Sequence, residues 1–260
     1  MSIDPDIQKT IVSEYESGKS MAEVGSIVGR SASAVHYTLR KYGVKTRSNK
    51  INSRKYEVNH RYFSEINSQE KAYWLGFLQT DGYLLSSVKR VGLAISTKDI
   101  DHLQKFKESL GATYPIHTYI ASGYAAVEYS RIVITSDQMW DDLNALGITP
   151  QKTKSSLPLS LGEDLERHYV RGLLDGDGGF MKSKFTKAGY TINFCSASEP
   201  LARFVADSLG SDHLTIDKKK NVWYAQVTPT VERIDYLYEK ANICLQRKQE
   251  RALEGRSRLC

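Results

Sequence analysis

Tyr73-Trp-Leu-Gly-Phe-Leu-Gln-Thr-Asp-Gly-Tyr-Leu84 and Tyr169-Val-Arg-Gly-Leu-Leu-Asp-Gly-Asp-Gly-Gly-Phe180 are two versions of one pattern, an apolar helix that ends in a carboxylate and turns on a glycine. The terminal acids, Asp81 and Asp177, stand 177 − 81 = 96 residues apart. That spacing is too long for a local turn and suits a duplicated half-domain of helices and strands. The duplication points to a fold that brings two acids together.

Hydrophobic period and turn residues give each copy the same order, αββαββα, and place the chain in the α+β class. The first copy reads as helix 70–81, strands 83–88 and 90–97, helix 99–110, strands 114–121 and 126–135, and helix 136–146. The second reads as helix 163–177, strands 179–185 and 189–196, helix 199–209, strands 213–218 and 222–228, and helix 230–241. Shorter echoes agree: Phe106-Lys-Glu-Ser-Leu-Gly111 with Phe204-Val-Ala-Asp-Ser-Leu-Gly210, and Gly147-Ile-Thr-Pro-Gln-Lys152 with Asn242-Ile-Cys-Leu-Gln-Arg-Lys248.

The segment before the repeat is built differently. Ile7, Ile11, Val12 and Tyr15 mark one face of a helix over 6–17 that Gly18 stops. Ser20-Met-Ala-Glu23 has capping-box spacing and starts a second helix with Val24 and Ile27 inward, closed by Gly29. A third begins near Ser31 with Val35 and Leu39 inward and ends at Gly43, leaving Arg30, Ser31, Ser33, His36, Tyr37 and Arg40 outside. This resembles the helix-turn-helix of resolvase-like domains, whose last helix enters the major groove. Charge agrees: residues 1–62 carry 11 Lys/Arg against 6 Asp/Glu, leaving 25 against 24 for the rest. A basic segment of this kind meets nucleic acid by neutralising phosphates. Residues 45–62, with Lys45, Arg47, Lys50, Arg54, Lys55 and Arg61, lack an apolar period and read as a linker able to follow a phosphate backbone. The expected divisions are 1–44, 45–62, 63–157 and 158–260.

Each motif helix carries a mid-helix glycine, Gly76 or Gly172. Glycine there costs about 1 kcal/mol against alanine, which calls for a packing reason: two backbones crossing closely. If the helices cross at these glycines, Asp81 and Asp177 become neighbours at two helix C-termini. The negative end of the macrodipole and like-charge repulsion both disfavour such a pair unless a divalent cation sits between them. Carboxylates, helix-terminal carbonyls and water suit Mg²⁺, which points to metal-assisted phosphodiester hydrolysis.

Trp74-Leu-Gly-Phe-Leu-Gln-Thr-Asp-Gly82 and Val170-Arg-Gly-Leu-Leu-Asp-Gly-Asp-Gly178 resemble the two namesake motifs of the LAGLIDADG homing endonucleases, and the resemblance spans roughly residues 63–250. It implies two pseudo-symmetric repeats forming a DNA-binding saddle. It also implies a monomer that makes a double-strand cut in a long asymmetric duplex site, without an obligatory protein partner. Asp81 and Asp177 would hold two or three divalent ions, Mg²⁺ with Mn²⁺ or Ca²⁺ as substitutes in binding, aided by the Thr80 and Gly176 carbonyls. Lys98, in Ile95-Ser-Thr-Lys98, matches a strand end that supplies a basic or amide group near the scissile phosphate. The second copy has Cys195-Ser-Ala-Ser198 and no lysine there. Lys152, Lys154 and Lys248 are further basic candidates. Asp175, matched by Gln79 and about 200° round the helix from Asp177, stays outside the metal site.

Strand alternation turns Val91, Leu93, Ile95, Tyr190, Ile192 and Phe194 toward the helices. Arg90, Gly92, Ala94, Ser96, Thr191, Asn193 and Cys195 then face DNA, with Leu85, Ser87 and Lys89 before them; in the second copy Lys182, Ser183 and Lys184 are DNA-binding candidates whose alternation leaves the parity open. The alternatives are a non-cleaving regulator of the WhiA type and an intron maturase. Neither a Cys or Ser start nor a His-Asn terminus is present, so an intron-encoded or free-standing gene is expected rather than an intein. No apolar run approaches the roughly 20 residues that span a bilayer, and the start lacks the layout of a secretory signal. Cys195, Cys244 and Cys260 form no Cys-x-x-Cys pair. An intracellular protein, in the cytoplasm or at the nucleoid, is expected.

Overall fold

The computed structural model describes residues 4–46, 55–120, 127–152, 155–211 and 213–260. Arg47, Lys50, Arg54 and Lys154, expected to contact DNA, lie outside the described residues. The chain forms two compact units, residues 1–56 and 57–260.

In the first unit α1 (Pro5–Glu16), α2 (Met21–Val28) and α3 (Ala32–Lys41) close around Ile11, Tyr15, Val24, Val35 and Leu39. Local chemistry sets the helix ends. Asp4 and Ser31 cap α1 and α3, and the Ser20–Glu23 capping box forms in both directions. Gly29 adopts the left-handed conformation that ends α2. Gly25 is needed because a Cβ there would stand 2.5 Å from the Arg30 carbonyl. Ile27, expected inside, is instead 53% exposed, and Val28 packs against the core in its place.

The second unit contains the repeat. Its order is α4 (Gln69–Asp81), β1 (Gly82–Leu85), β2 (Arg90–Ser96), α5 (Ile100–Ser109), β3 (Ile116–Ile120), β4 (Glu128–Thr135) and α6 (Asp137–Ala145). Then come α7 (Glu163–Asp177), β5 (Gly178–Lys182), β6 (Tyr190–Ser196), α8 (Glu199–Ser208), β7 (Leu214–Asp217), β8 (Val222–Val227), α9 (Val231–Tyr238) and α10 (Gln246–Ser257). Two antiparallel sheets result, β1-β2-β4-β3 and β5-β6-β8-β7. The fold is α+β with the αββαββα order in both halves.

Three differences from the sequence reading have local causes. Helix α10 was not expected, because Gln246–Ser257 has no apolar stripe: it buries Lys248, Ala252 and Gly255, while Leu253 is 50% exposed. Strand β1 stops at Leu85, since residues 86–89 form a turn with Lys89 at φ 42°. Part of the expected 45–62 linker belongs to the second unit: the Asn59 N–H donates to Leu110 O (2.9 Å), the Thr113 N–H donates to Glu57 O (3.0 Å), and Tyr62 is buried.

The core of the second unit is the crossing of α4 and α7. Eight consecutive residues of each, Ala72–Gln79 and His168–Asp175, are buried. A Cβ on Gly76 would lie 2.3 Å from Tyr169 O, and one on Gly172 2.1 Å from Tyr73 O. Each glycine thus fits against the backbone of the opposite helix. Polar side chains fix the register of the crossing by an exchange between halves. The Tyr73 hydroxyl donates to Asp175 Oδ2 (2.9 Å), while the Tyr169 hydroxyl donates to Gln79 Oε1. Asp175 also accepts from Tyr238 Oη and from Leu245 N (2.7 Å). It is therefore committed to the buried core.

Candidate functional site

Both motif helices run straight into a strand. Gly82 and Gly178 cap them, each backbone N–H returning to a carbonyl four residues back, Leu78 O or Leu174 O. No side chain fits at either place: a Cβ would stand 2.6 Å from Leu78 O at Gly82 and 2.6 Å from Asn193 O at Gly178. At Gly176 a Cβ would fall 1.8 Å from Thr80 Oγ1, so the last turns of the two helices touch. Asp81 and Asp177, one residue beyond Thr80 and Gly176, end up side by side.

Their electrostatics record this closeness. Burial first, and then Asp177, raise the Asp81 carboxyl to about 6, opposed by Lys248, Lys152 and Arg247. Burial raises Asp177 as well, opposed by Lys152 and Lys248, although its outer side faces solvent. The two lysines occupy matching places at the helix ends. Lys152 Nζ donates to Thr80 O (3.1 Å) and to Gly82 O. Lys248 Nζ donates to Leu174 O (2.9 Å), Asp175 O and Gly176 O (3.1 Å). Cations at helix C-termini satisfy orphan carbonyls and oppose the dipole, which explains how Lys248 can be 4% exposed. The short echo ending in Lys152 and Lys248 was the sequence trace of this pairing.

Two oxyanions held close, with Asp81 poised near neutrality, fit a hard divalent cation. Among the described residues no group of three or more His, Cys, Asp and Glu side chains could hold a metal. The remaining donors are the backbone carbonyls and water. Thr80 O and Gly176 O each accept from a lysine and keep a second lone pair.

Lys98 is exposed in a 3-10 turn (Thr97–Asp99) that lines a cleft of about 200 Å³ with Asp101, His102, Lys105 and Arg247, the last of which also acts on Asp81. Cys195, the counterpart of Ala94, lies closer to the acids, its thiol donating to Asp177 O (3.3 Å).

Burial alternates along β2 and β6 as the residue pattern requires. Val91, Leu93, Ile95, Tyr190, Ile192 and Phe194 are buried, whereas Arg90, Ser96, Thr191 and Asn193 are open to varying degrees. Three outward expectations need correction. Gly92 is covered by the Tyr83 ring, since a Cβ there would meet that ring at 2.1 Å. Lys89 leaves the strand and pairs with Asp141 (2.6 Å) over the Trp140 ring. Lys182 pairs in register with buried Tyr190, so it stands on the helix side, where its charge acts on Glu254. Lys184 is exposed in the following turn. In the first unit Arg30, Ser31, Ser33, His36 and Arg40 are all exposed.

The outward faces hold more than was expected. Register puts Tyr83, His117, Tyr119, Tyr129 and Arg131 on the outward face of the first sheet. Tyr119 stacks on Tyr129, and the Arg131 guanidinium lies over the Tyr119 ring. On the second sheet, Gln226, Tyr224 and Thr215 share a face with Asn193 and Cys195. Alternation in Glu128–Thr135, Tyr-Ser-Arg-Ile-Val-Ile, carried the signal for Tyr129 and Arg131.

No helix among the described residues is long and apolar enough to cross a membrane. No protein-family model matches the chain, and no curated protein matches it. Similar solved structures do exist. The homing endonuclease I-WcaI bound to its DNA recognition sequence is 14% identical with a TM-score of 0.49, over 81% of this chain and 96% of that one. Meganuclease I-SmaMI bound to uncleaveable DNA is 15% identical with a TM-score of 0.47, over 74% and 94%. The N-terminal LAGLIDADG domain of DUF199/WhiA is 14% identical with a TM-score of 0.45, over 74% and 93%.

Proposed function

We propose that the protein is a site-specific DNA endonuclease of the LAGLIDADG homing type, a monomer whose second unit holds duplex DNA on its two sheets and cuts both strands with Mg²⁺. The observation that carries this reading is the placement of Asp81 and Asp177 at touching helix ends, each backed by a lysine. In metal-free form the pair repels, and Asp81 rises to about 6.

Asp81 and Asp177, with the Thr80 and Gly176 carbonyls, would hold the cations, which neutralise charge on the scissile phosphates and activate water. Lys152 and Lys248 act as positioning groups: they hold the helix ends and draw both carboxylates back toward ionisation. Their bonds at the helix ends and their pull on both carboxylates support Lys152 and Lys248 for the basic role, alongside Lys98. Arg90, Ser96, Thr191 and Asn193, with Tyr129 and Arg131, present charge, hydroxyl and amide groups for phosphates and for base edges in the major groove. The sites are not equivalent, because Cys195 adjoins Asp177 where Ala94 adjoins Asp81, so the strands should be cut at unequal rates. In the first unit, exposed Ser33, His36 and Arg40 on α3 fit the recognition helix of a helix-turn-helix.

The test is selection of cleaved duplexes from a randomised library in Mg²⁺. Cleavage at one site, lost in Asp81→Asn and Asp177→Asn while binding persists, supports the reading. Duplex binding by the wild type without any cutting would overturn it in favour of a non-cleaving regulator.

A further inference from the structure

The turn between β5 and β6 exposes a phenyl ring. Phe185 is 88% exposed, within Lys182-Ser-Lys-Phe-Thr-Lys187. The turn is internally bonded. The Ser183 N–H donates to Gly189 O (2.9 Å), the Phe185 N–H to Ser183 Oγ (3.3 Å), the Gly189 N–H to Thr186 O (3.0 Å), and Thr186 Oγ1 to Tyr190 O (2.6 Å). The ring is thus projected from a built support, and the stabilisation that burying it would contribute is forgone. Lys184 Nζ stands 5.3 Å from the ring centroid, and Lys182 and Lys187 are exposed close by in sequence.

The equivalent turn in the first half has neither feature. Residues 86–89 carry no aromatic group, and Lys89 is neutralised by Asp141. A partner for the second turn must offer a flat apolar surface edged by anions, and a stacked base step between two phosphates has that chemistry. Continuity favours the same occupant, since Met181, 58% exposed, joins the turn to the outward face bearing Thr191 and Asn193.

We propose that Phe185 is a stacking wedge that inserts at a base step where duplex DNA passes the second half, with Lys184 on the adjoining phosphate. This rests on the DNA-binding reading above. It makes the protein's grip asymmetric, with distortion of the duplex at one end of its site.

The experiment uses the full chain, Ca²⁺ to prevent cutting, and a long mixed-sequence duplex at low salt. In Phe185→Trp the new indole should be quenched and shielded from acrylamide when duplex is added, beyond the change seen in the wild type. Phe185→Ala should bind roughly tenfold more weakly, with the slope of log affinity against log salt unchanged. Lys184→Ala should lower that slope by about 0.9. If Phe185→Ala binds as well as the wild type and the indole of Phe185→Trp stays accessible, the wedge is refuted while DNA binding stands. Wild type that fails to bind duplex refutes both readings. Shielding of the indole by phosphatidylserine vesicles but not by duplex assigns the turn to a membrane and refutes the wedge.

Discussion

Alanine at Gly172 tests the helix crossing most directly. Within a helix, alanine is better than glycine by about 1 kcal/mol. Against that gain, the new Cβ would stand 2.1 Å from Tyr73 O and 2.9 Å from Phe77 N. Ordinary contact begins near 3.4 Å, so α4 and α7 must part by roughly 1 Å. Both obstructing atoms are backbone, and no side chain can rotate away. Overpacking costs about 1–3 kcal/mol, and a 1 Å gap forfeits up to half of the dispersion energy of the atoms lining it. The net expectation is a loss of about 2–3 kcal/mol, which for a unit of this size lowers the melting temperature by roughly 4–12 °C. Gly255→Ala is the matched control. It too lies in a helix, but its Cβ would meet nothing closer than 3.4 Å, so the helix preference should appear alone as a rise of roughly 2–4 °C. Calorimetric melting of both variants decides the matter. If Gly172→Ala melts at or above the wild-type temperature, the close crossing is wrong. Gly76→Ala should behave like Gly172→Ala, and the double variant should lose less than the sum, because the helices need part only once.

Three further outcomes follow from the buried charges. Burial holds His102 near 3, with Nε2 against the Tyr73 hydroxyl, so between about pH 6.5 and 3 the unfolded chain binds a proton that the native state does not. Stability should therefore fall as pH is lowered through that window, and His102→Gln should flatten the measured dependence by up to about 1.4 kcal/mol per pH unit. Asp81, raised by burial and by Asp177, costs stability above its folded value of about 6 and regains it as pH drops below. Asp81→Asn should thus stabilise the metal-free protein at pH 7 by on the order of 1 kcal/mol after allowance for solvent, read as a higher melting temperature, and should weaken the further rise expected of the wild type in Mg²⁺. Lys248→Met leaves the carbonyls of Leu174, Asp175 and Gly176 without their donor and should cost roughly 2 kcal/mol in urea unfolding, with Lys152→Met costing less.

Much of this protein is written locally. The duplicated helix, the mid-helix glycines and the acid–glycine ends follow from residues that admit few structures: glycine where backbones meet, alternation where one strand face is buried. Helix ends were readable for the same reason, since Ser20 and Glu23 need only each other. Polar α10 carried no apolar stripe and gave no such sign. Nor did the exposure of Ile27, since its helix buries Val24 and packs Val28 instead.

By itself the sequence determined that two like halves exist, that their helices meet at Gly76 and Gly172, and that an acid ends each. Only the tertiary structure decided which charges surround those acids. Lys152 and Lys248 reach the helix ends that carry them from 71 residues beyond each acid (152 − 81 and 248 − 177), Lys98 lines a cleft with Arg247, and Lys89 is neutralised by Asp141. Covalent geometry and steric fit act between near neighbours and leave a mark in the sequence. Electrostatic partnership acts through space, and the fold alone sets the distances.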